Sequence, residues 1–292
     1  MVNGIFAGRT TIDSIAYPER PPGVNEKVPG VANGMILPGG AAHNAAAAFA
    51  ALGGDTTLVT KVGSSLESSI VDFDLRCLGI SLIDCMKDQN FRLPISNIMV
   101  FETGERQIIT SPHQIHTDIR FAEEEIEDAL SKADICMFDT RYPSITLWLA
   151  EQARKHSVTT VLDGGNWQDR LEQLIPFIDI VICSDDFMPP GTKTHEDVRD
   201  YLKQKGVKEV AVTRGGESIL YFNDKQSFEI SVPKVDAVDT MGAGDIFHGS
   251  FCYYYVENKG NMKEALEKSS KIASFSCLYH GTRSWIHHLH DM

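Results

Sequence analysis

Short, almost wholly apolar runs alternate with amphipathic stretches along this chain, and that alternation limits its possible folds more than any other feature. "GIFAG", "TTLVTKV", "ADICMFD", "VTTVLD", "IDIVICS" and "KEVAVT" read as strands, and near-continuous apolar character means burial on both faces. "AAHNAAAAFAALG", "ESSIVDFDLRCLG", "SITLWLAEQARKH" and "HEDVRDYLKQKG" read as helices, the first stopping at Gly53-Gly54. Two long helices, Ala243–Asn258 and Met262–Tyr279, are expected in the final third. Strands of this kind pair in parallel and need helices on both faces. With right-handed crossovers the expectation is one doubly wound, mainly parallel α/β domain over residues 1–292. Two segments interrupt the rhythm. Residues 14–36 are rich in Pro and Gly, and residues 91–110 read as two strands joined at the turn "ETGE". Together they predict a small β-sheet appended to the core, a candidate lid.

Charge narrows the partners. Twenty-seven Lys and Arg against 40 Asp and Glu leave a formal charge of −13, which repels nucleic acid and anionic lipid. A local basic pocket can still attract an anionic small molecule. No apolar run reaches 18 residues, so no membrane-spanning helix is expected. The N-terminal "MVNGIFAGRTTID" lacks the basic region and cleavage site of a secretory signal and reads as a first strand. Cys77, Cys85, Cys136, Cys183, Cys252 and Cys277 show no CxxC or metal spacing. They read as reduced, buried thiols of a cytoplasmic protein. The terminal "HHLH" reads as a frayed polar tail.

The stretch "AVDTMGAGDIFHGSF", Ala237 to Phe251, concentrates the chemistry. Gly242, Ala243 and Gly244 let backbone approach a ligand closely just where a helix begins. The first N–H groups of a helix lack intrahelical partners, and its dipole is positive there, so phosphate is favoured. Asp245 in the first turn would repel a phosphate unless it had a task. Accepting a proton from an attacking hydroxyl is such a task.

"VDTMGAGDIFHG" resembles the second signature of the ribokinase-like (PfkB) carbohydrate kinases, and "PGGAAHNAAAAFAALGG", Pro38 to Gly54, resembles the first. "GRTTID" at Gly8–Asp13 resembles the family's first strand, ending in a sugar-binding Asp, and "VTRGGES" at Val212–Ser218 its nucleotide loop. The resemblance spans nearly the whole chain. It implies an ATP-dependent sugar kinase with Asp245 as general base and the Gly242, Ala243 and Gly244 amides at the transferring phosphoryl group. It implies sugar contacts from Asp13, Gly39, Gly40 and Asn44, and nucleotide contacts from Ser184, Thr213 and Gly215. Mg²⁺ is implied as a cofactor without assigned metal ligands. Many members are also stimulated by K⁺ near the loop matching Asp239 and Thr240.

The pattern departs from the family in three places. Ser184 and Phe187 stand where many members carry Asn and Glu, with Asp185 and Asp186 as substitutes for the missing carboxylate. "VGSSLESS" keeps Gly63 but has Ser65 and Ser68 where Asp and Gly are expected. "GTRSWIHHLHDM" lacks the usual ending. These changes keep open a degenerate member that binds ligand without turnover. Nucleoside and phosphosugar kinases also remain alternatives. A dinucleotide oxidoreductase is disfavoured, because the first strand leads into "GRTTID" and not GxGxxG. Lys27 and Arg141 are candidate ligands for an anionic sugar, with Arg92 and Arg106 flanking the hairpin. "VTTVLDGGNWQD" and "FDTRYPS" look most like the branch containing 6-deoxy-6-sulfofructose kinase; a neutral ketose or pentose stands beside that reading. Pairing lid against lid in a homodimer would cover exposed sheet edges.

Overall fold

The computed structural model describes residues 2–87, 89–101, 105–111 and 122–292. Along the chain run β1 (Asn3–Ala7), β2 (Thr11–Pro18), β3 (Gly30–Gly39), α1 (Ala41–Ala51), β4 (Asp55–Thr60), α2 (Ser68–Leu78), β5 (Ser81–Asp84), β6 (Ile95–Val100) and β7 (Arg106–Thr110). Then follow α3 (Glu123–Leu130), β8 (Ile135–Phe138), α4 (Pro143–Lys155), β9 (Thr159–Gly164), α5 (Leu171–Leu174), β10 (Ile180–Ser184), α6 (His195–Gln204), β11 (Glu209–Thr213), β12 (Ile219–Phe222), β13 (Ser227–Ile230), α7 (Ala243–Glu257) and α8 (Met262–Ser276).

The large sheet has the order β13-β12-β11-β10-β9-β8-β1-β4-β5. It is parallel except for the antiparallel pairings of β12. Alternate residues of each central strand enter opposite cores. Phe6, Met137, Val161, Ile182 and Ala211 pack with α1, α7 and α8 through Phe49, Phe251 and Leu266. Ile5, Cys136, Phe138, Leu162 and Val181 pack on the other face with Ile126, Leu149, Leu174 and Leu202. Each such side chain contributes roughly 1.5–3 kcal/mol on burial. The chain adds β4 and β5 on one side of β1, then β8 to β11 on the other. The order therefore reverses between β1 and β8, the switch point at which doubly wound sheets leave a crevice.

Helices α1 and α7 cross at near-backbone contact. A Cβ on Gly249 would lie 2.0 Å from the Ala45 carbonyl oxygen, so only glycine fits. The alanine-rich α1 is the other half of that fit, and it brings residue 44 against the first turn of α7.

A second sheet has the order β3-β2-β6-β7, with antiparallel outer pairs and a parallel β2–β6 pairing. Ile15, Tyr17, Ile98 and Val100 bury one face against Met241. Both irregular segments of the sequence thus contribute strands, the first over wider bounds than expected (residues 11–39) and the second over narrower ones (residues 95–110). The turn at Glu102–Gly104 lies outside the described residues.

Four expectations are corrected. "GRTTID" does not end the first strand: β1 stops at Ala7, and Asp13 belongs to β2 in the other sheet. The two long helices end earlier, at Glu257 and Ser276. The C-terminus is no frayed tail, because Trp285 is fully buried and anchors the turn at Ser284–Asp291. Cys77 is exposed, while the other five thiols are buried and free. Among the described residues, no helix is long and apolar enough to cross a membrane.

Candidate active site

Helix α7 opens on Gly242, whose φ of 69° is in the region that favours glycine. A Cβ on Gly244 would meet nothing within 4 Å, so space lies open before the helix start. No side chain caps that start. Asp245 in its first turn accepts a hydrogen bond from Asn44 Nδ2 at 2.8 Å. Burial, then repulsion from Asp163, push the Asp245 carboxyl up to about 6, and the Asn44 bond opposes that rise.

Asn44 is itself held. Arg283 donates to Asn44 Oδ1 at 2.9 Å and to Asp74 Oδ2 at 3.0 Å. An amide has one oxygen and one NH₂ group. With its oxygen on a guanidinium, Asn44 must present NH₂ to Asp245. Against the cost of burial, His43 and Arg283 hold the Asp74 carboxyl low, at about 2. Burial lowers the pKa of His43, which favours the neutral ring. Its Nε2 lies 3.0 Å from Asp74 Oδ2 and its Nδ1 3.4 Å from the Thr10 hydroxyl. The carboxylate can only accept, so Nε2 carries the proton. Arg283, Asp74 and His43 are absent from the sequence-derived site. The signal for Arg283 was the altered ending "GTRSWI", read only as a departure; His43 stood unremarked inside the first signature and Asp74 inside the helix "ESSIVDFDLRCLG".

Asp13 is buried and accepts from Thr11 Oγ1 at 2.9 Å; burial raises its pKa. Gly39 lies against it, and Gly40, at φ 96°, lies against the Arg9 carbonyl. These residues thus flank the same corner as Arg9. Ser184 and Thr213 end the neighbouring strands β10 and β11, with Gly215 just beyond. A Cβ on Gly215 would also face open space. Phe187 points into the core beside Trp167, while Asp185 is exposed and pairs with His195 at 2.8 Å.

The Asp239 carboxylate is a buried junction. It accepts from the Tyr17 hydroxyl and from the backbone N–H groups of Met241 and Gly281, each at 2.9 Å. The neighbouring Thr240 is exposed. Small sheet, Gly-rich loop and C-terminal loop are thereby tied together.

A cavity of about 370 Å³ opens at the switch point, lined by Arg9, Ala41, Asp139, Arg141, Asp163, Asn166 and others. Lys27 is not among its lining residues; it is exposed on the β2–β3 connection, and Arg92 and Arg106 are exposed too.

A mostly parallel doubly wound sheet, a small second sheet and a Gly-rich helix start holding a carboxylate define a ribokinase-like α/β protein. The family follows from comparison. The pfkB family carbohydrate kinase model matches residues 5–288, and the chain belongs to that family. It is 25% identical to a ribokinase of Staphylococcus aureus over 97% of this chain and 95% of that one. A solved ribokinase of Giardia lamblia superposes with a TM-score of 0.85 at 19% identity, covering 98% and 96% of the two chains. An Arabidopsis thaliana ribokinase complexed with ribose and ATP superposes with a TM-score of 0.74 at 22% identity, covering 96% and 93%.

Proposed function

We propose that this protein transfers the γ-phosphoryl group of ATP to a sugar hydroxyl, with Asp245 as general base. One observation carries the reading: a carboxylate, oriented by Asn44, stands in the first turn of an uncapped helix that opens on Gly242. A pKa of about 6 leaves Asp245 ionised at neutral pH yet able to accept a proton. The hydroxyl proton passes to Asp245 as the sugar oxygen bonds to phosphorus and the bond to the ADP oxygen breaks. The amides of Gly242 and Gly244 would face the charge that develops on the phosphoryl oxygens, whereas the Ala243 N–H donates to the Thr240 carbonyl at 3.3 Å and is not open as the sequence suggested. Ser184, Thr213 and Gly215 would hold the nucleotide, and Asp13, Gly39, Gly40 and Asn44 the sugar. Arg283 would be a positioning residue, acting through its hydrogen bond to the Asn44 amide oxygen. The relative complexed with ribose and ATP supports ATP as the nucleotide.

Among the described residues, no three His, Cys, Asp or Glu side chains converge into a metal cage. Mg²⁺ fits without one, since it is commonly held by substrate phosphates and water, and when bound it would neutralise phosphate charge. The Asp239 carboxylate receives two donors on Oδ2 and one on Oδ1, so Oδ1 keeps acceptor capacity with which it would hold a K⁺ ion. Val31, Ile36, Ile108 and Ile109 expose apolar surface on the small sheet. That supports a homodimer paired through this sheet, with the sheet acting as a lid. Sedimentation velocity checks it: Ile109→Glu should turn a dimer into a monomer, and a wild-type monomer sinks the idea.

The decisive assay is ADP release over a panel of neutral and anionic sugars and adenosine, with Mg²⁺ and with or without K⁺. One sugar should stand out, and the paired assays with and without K⁺ read the ion dependence directly. ATP binding without any transfer would favour the degenerate reading.

A further inference from the structure

Helix α7 carries a buried histidine that the proposed transfer does not use. His248 stands three residues beyond Asp245, a spacing that puts the two on one helix face. Its ring drops onto the large sheet between β9 and β10, at the point where Asp163 and Ile182 are direct partners in the register. Nδ1 lies 2.7 Å from the Gly244 carbonyl oxygen, one turn back on α7. Nε2 lies 3.2 Å from the Ile182 carbonyl oxygen and 3.7 Å from Asp163 Oδ1.

Two carbonyls and an ionised carboxylate can only accept. A neutral imidazole has one N–H, so either neutral tautomer sets a ring lone pair against an oxygen. A bare Nδ1 would face the Gly244 oxygen at 2.7 Å, and a bare Nε2 would face both Ile182 and Asp163. An imidazolium donates from both nitrogens and suits all three oxygens. A buried cation is costly unless an anion stands beside it. Asp163, its side chain only 14% exposed, is that anion.

The pair adjoins the base, and both of its charges act on it. Asp163 raises the Asp245 pKa and His248 lowers it. Asn44 from α1 also lowers it, and Asp13 from β2 raises it. On β8 the Asp139 carboxyl is pushed up to about 7, chiefly by burial and in smaller part by Asp163. Burial pushes the Cys183 thiol of β10 up to about 12, so it stays neutral. Of these groups only His248 brings positive charge. The Gly244 carbonyl belongs to the same peptide unit as the Asp245 N–H, so the Nδ1 bond also steadies the turn that carries the base.

We propose that His248 is held as an imidazolium paired with Asp163, and that it is a positioning residue for the transfer: its charge cancels that of Asp163 and keeps Asp245 an ionised base on the turn the ring steadies. This rests on the kinase reading of Asp245 and adds a further residue to it. Without the ring's charge, Asp163 and Asp245 are like charges sharing one buried corner, and one of them takes up a proton.

The first test needs no substrate. In a long-range proton–nitrogen spectrum of the full chain at neutral pH, both ring nitrogens of His248 should carry protons. Its signal is assigned among the ten histidines by its loss in His248→Asn. A bare ring nitrogen overturns the proposal. The second test follows the Asp245 carboxyl carbon through a pH titration of the free protein. His248→Asn keeps a donor for the Gly244 carbonyl and drops the charge, so the midpoint should rise by about one pH unit. Adding Asp163→Asn removes the stranded charge and should bring the midpoint most of the way back. A role in packing alone predicts no such rescue. An unmoved midpoint in His248→Asn, or a rise that the second change does not reverse, overturns the proposal. Where His248→Asn fails to fold, His248→Gln serves for the assignment and the wild-type ring spectrum decides alone. ADP release separates this proposal from the reading it rests on, because the acid limb of kcat/KM should follow the carboxyl midpoint in each variant. Shifted midpoints without transfer to any sugar keep the pair and remove the kinase. Transfer whose acid limb ignores both changes keeps the kinase and removes His248 as a positioning residue.

Discussion

Helices α6 and α7 solve the same problem in opposite ways. Both begin with backbone N–H groups that lack helical partners. At α6, the Thr194 hydroxyl accepts from Asp197 N at 3.1 Å, and the Asp197 carboxylate accepts from Thr194 N at 3.0 Å. At α7, Gly242 offers no side chain, and the first-turn Asp245 spends an oxygen on Asn44. The packing explains which helix can forgo a cap. α6 buries only Val198 and Leu202, whereas α7 buries a run from Ile246 to Cys252. A cap contributes about 1 kcal/mol, which matters to the first and is dispensable to the second. A start finished within the chain is structural; a start left open by a helix that tertiary contacts already hold is available to a ligand.

The sharpest way to break that contrast is at the open start. Asp245→Asn should lower kcat by about 10² to 10⁴ with little change in ATP affinity. Near-normal turnover would leave α7 no more catalytic than α6. Wild-type kcat/KM should fall about tenfold per pH unit below the Asp245 pKa of about 6, because the acid form cannot accept a proton. Arg283→Met comes next. With Asn44 free to turn, Asp245 loses a donor, and losing a donor to the ionised form raises a carboxyl pKa. The acid limb should move to higher pH and kcat should drop about tenfold, with the KM for ATP unchanged and Arg283→Lys recovering part. An unmoved pH profile would reduce Arg283 to packing. The smallest effect belongs to the capped start. Thr194→Ala should cost about 1 kcal/mol, a loss of roughly 2–4 °C in Tm, with kcat intact.

The sequence made the architecture legible because burial on both faces of a strand writes itself locally, as in "IVICS", where Ile180, Val181, Ile182 and Cys183 are all buried. Strands β5, β12 and β13 escaped, being four residues each; β5 and β13 mix polar residues in, and β12 is a short apolar run at the antiparallel edge. Asp13 was placed on the wrong strand because nothing in "GRTTID" tells that the chain leaves one sheet for another at residues 8–10. Asp245, Asn44 and the glycines were legible as motifs. His248 and Arg283 were not, since each gains meaning from a neighbour distant in sequence. Lys27 drew notice as a cation in a loop, but the strand order places the cavity elsewhere.

The bond between Asn44 and Asp245 joins residues 201 apart in sequence, and that between Asn44 and Arg283 joins residues 239 apart. Contacts of such separation close long loops, and that entropic cost must be met before they form. A chain that has closed only its local β-α units has the Gly-rich loop but not the oriented base. On the proposed mechanism, a partly folded copy that lacks these two bonds would hold no oriented base and would not consume ATP to no purpose.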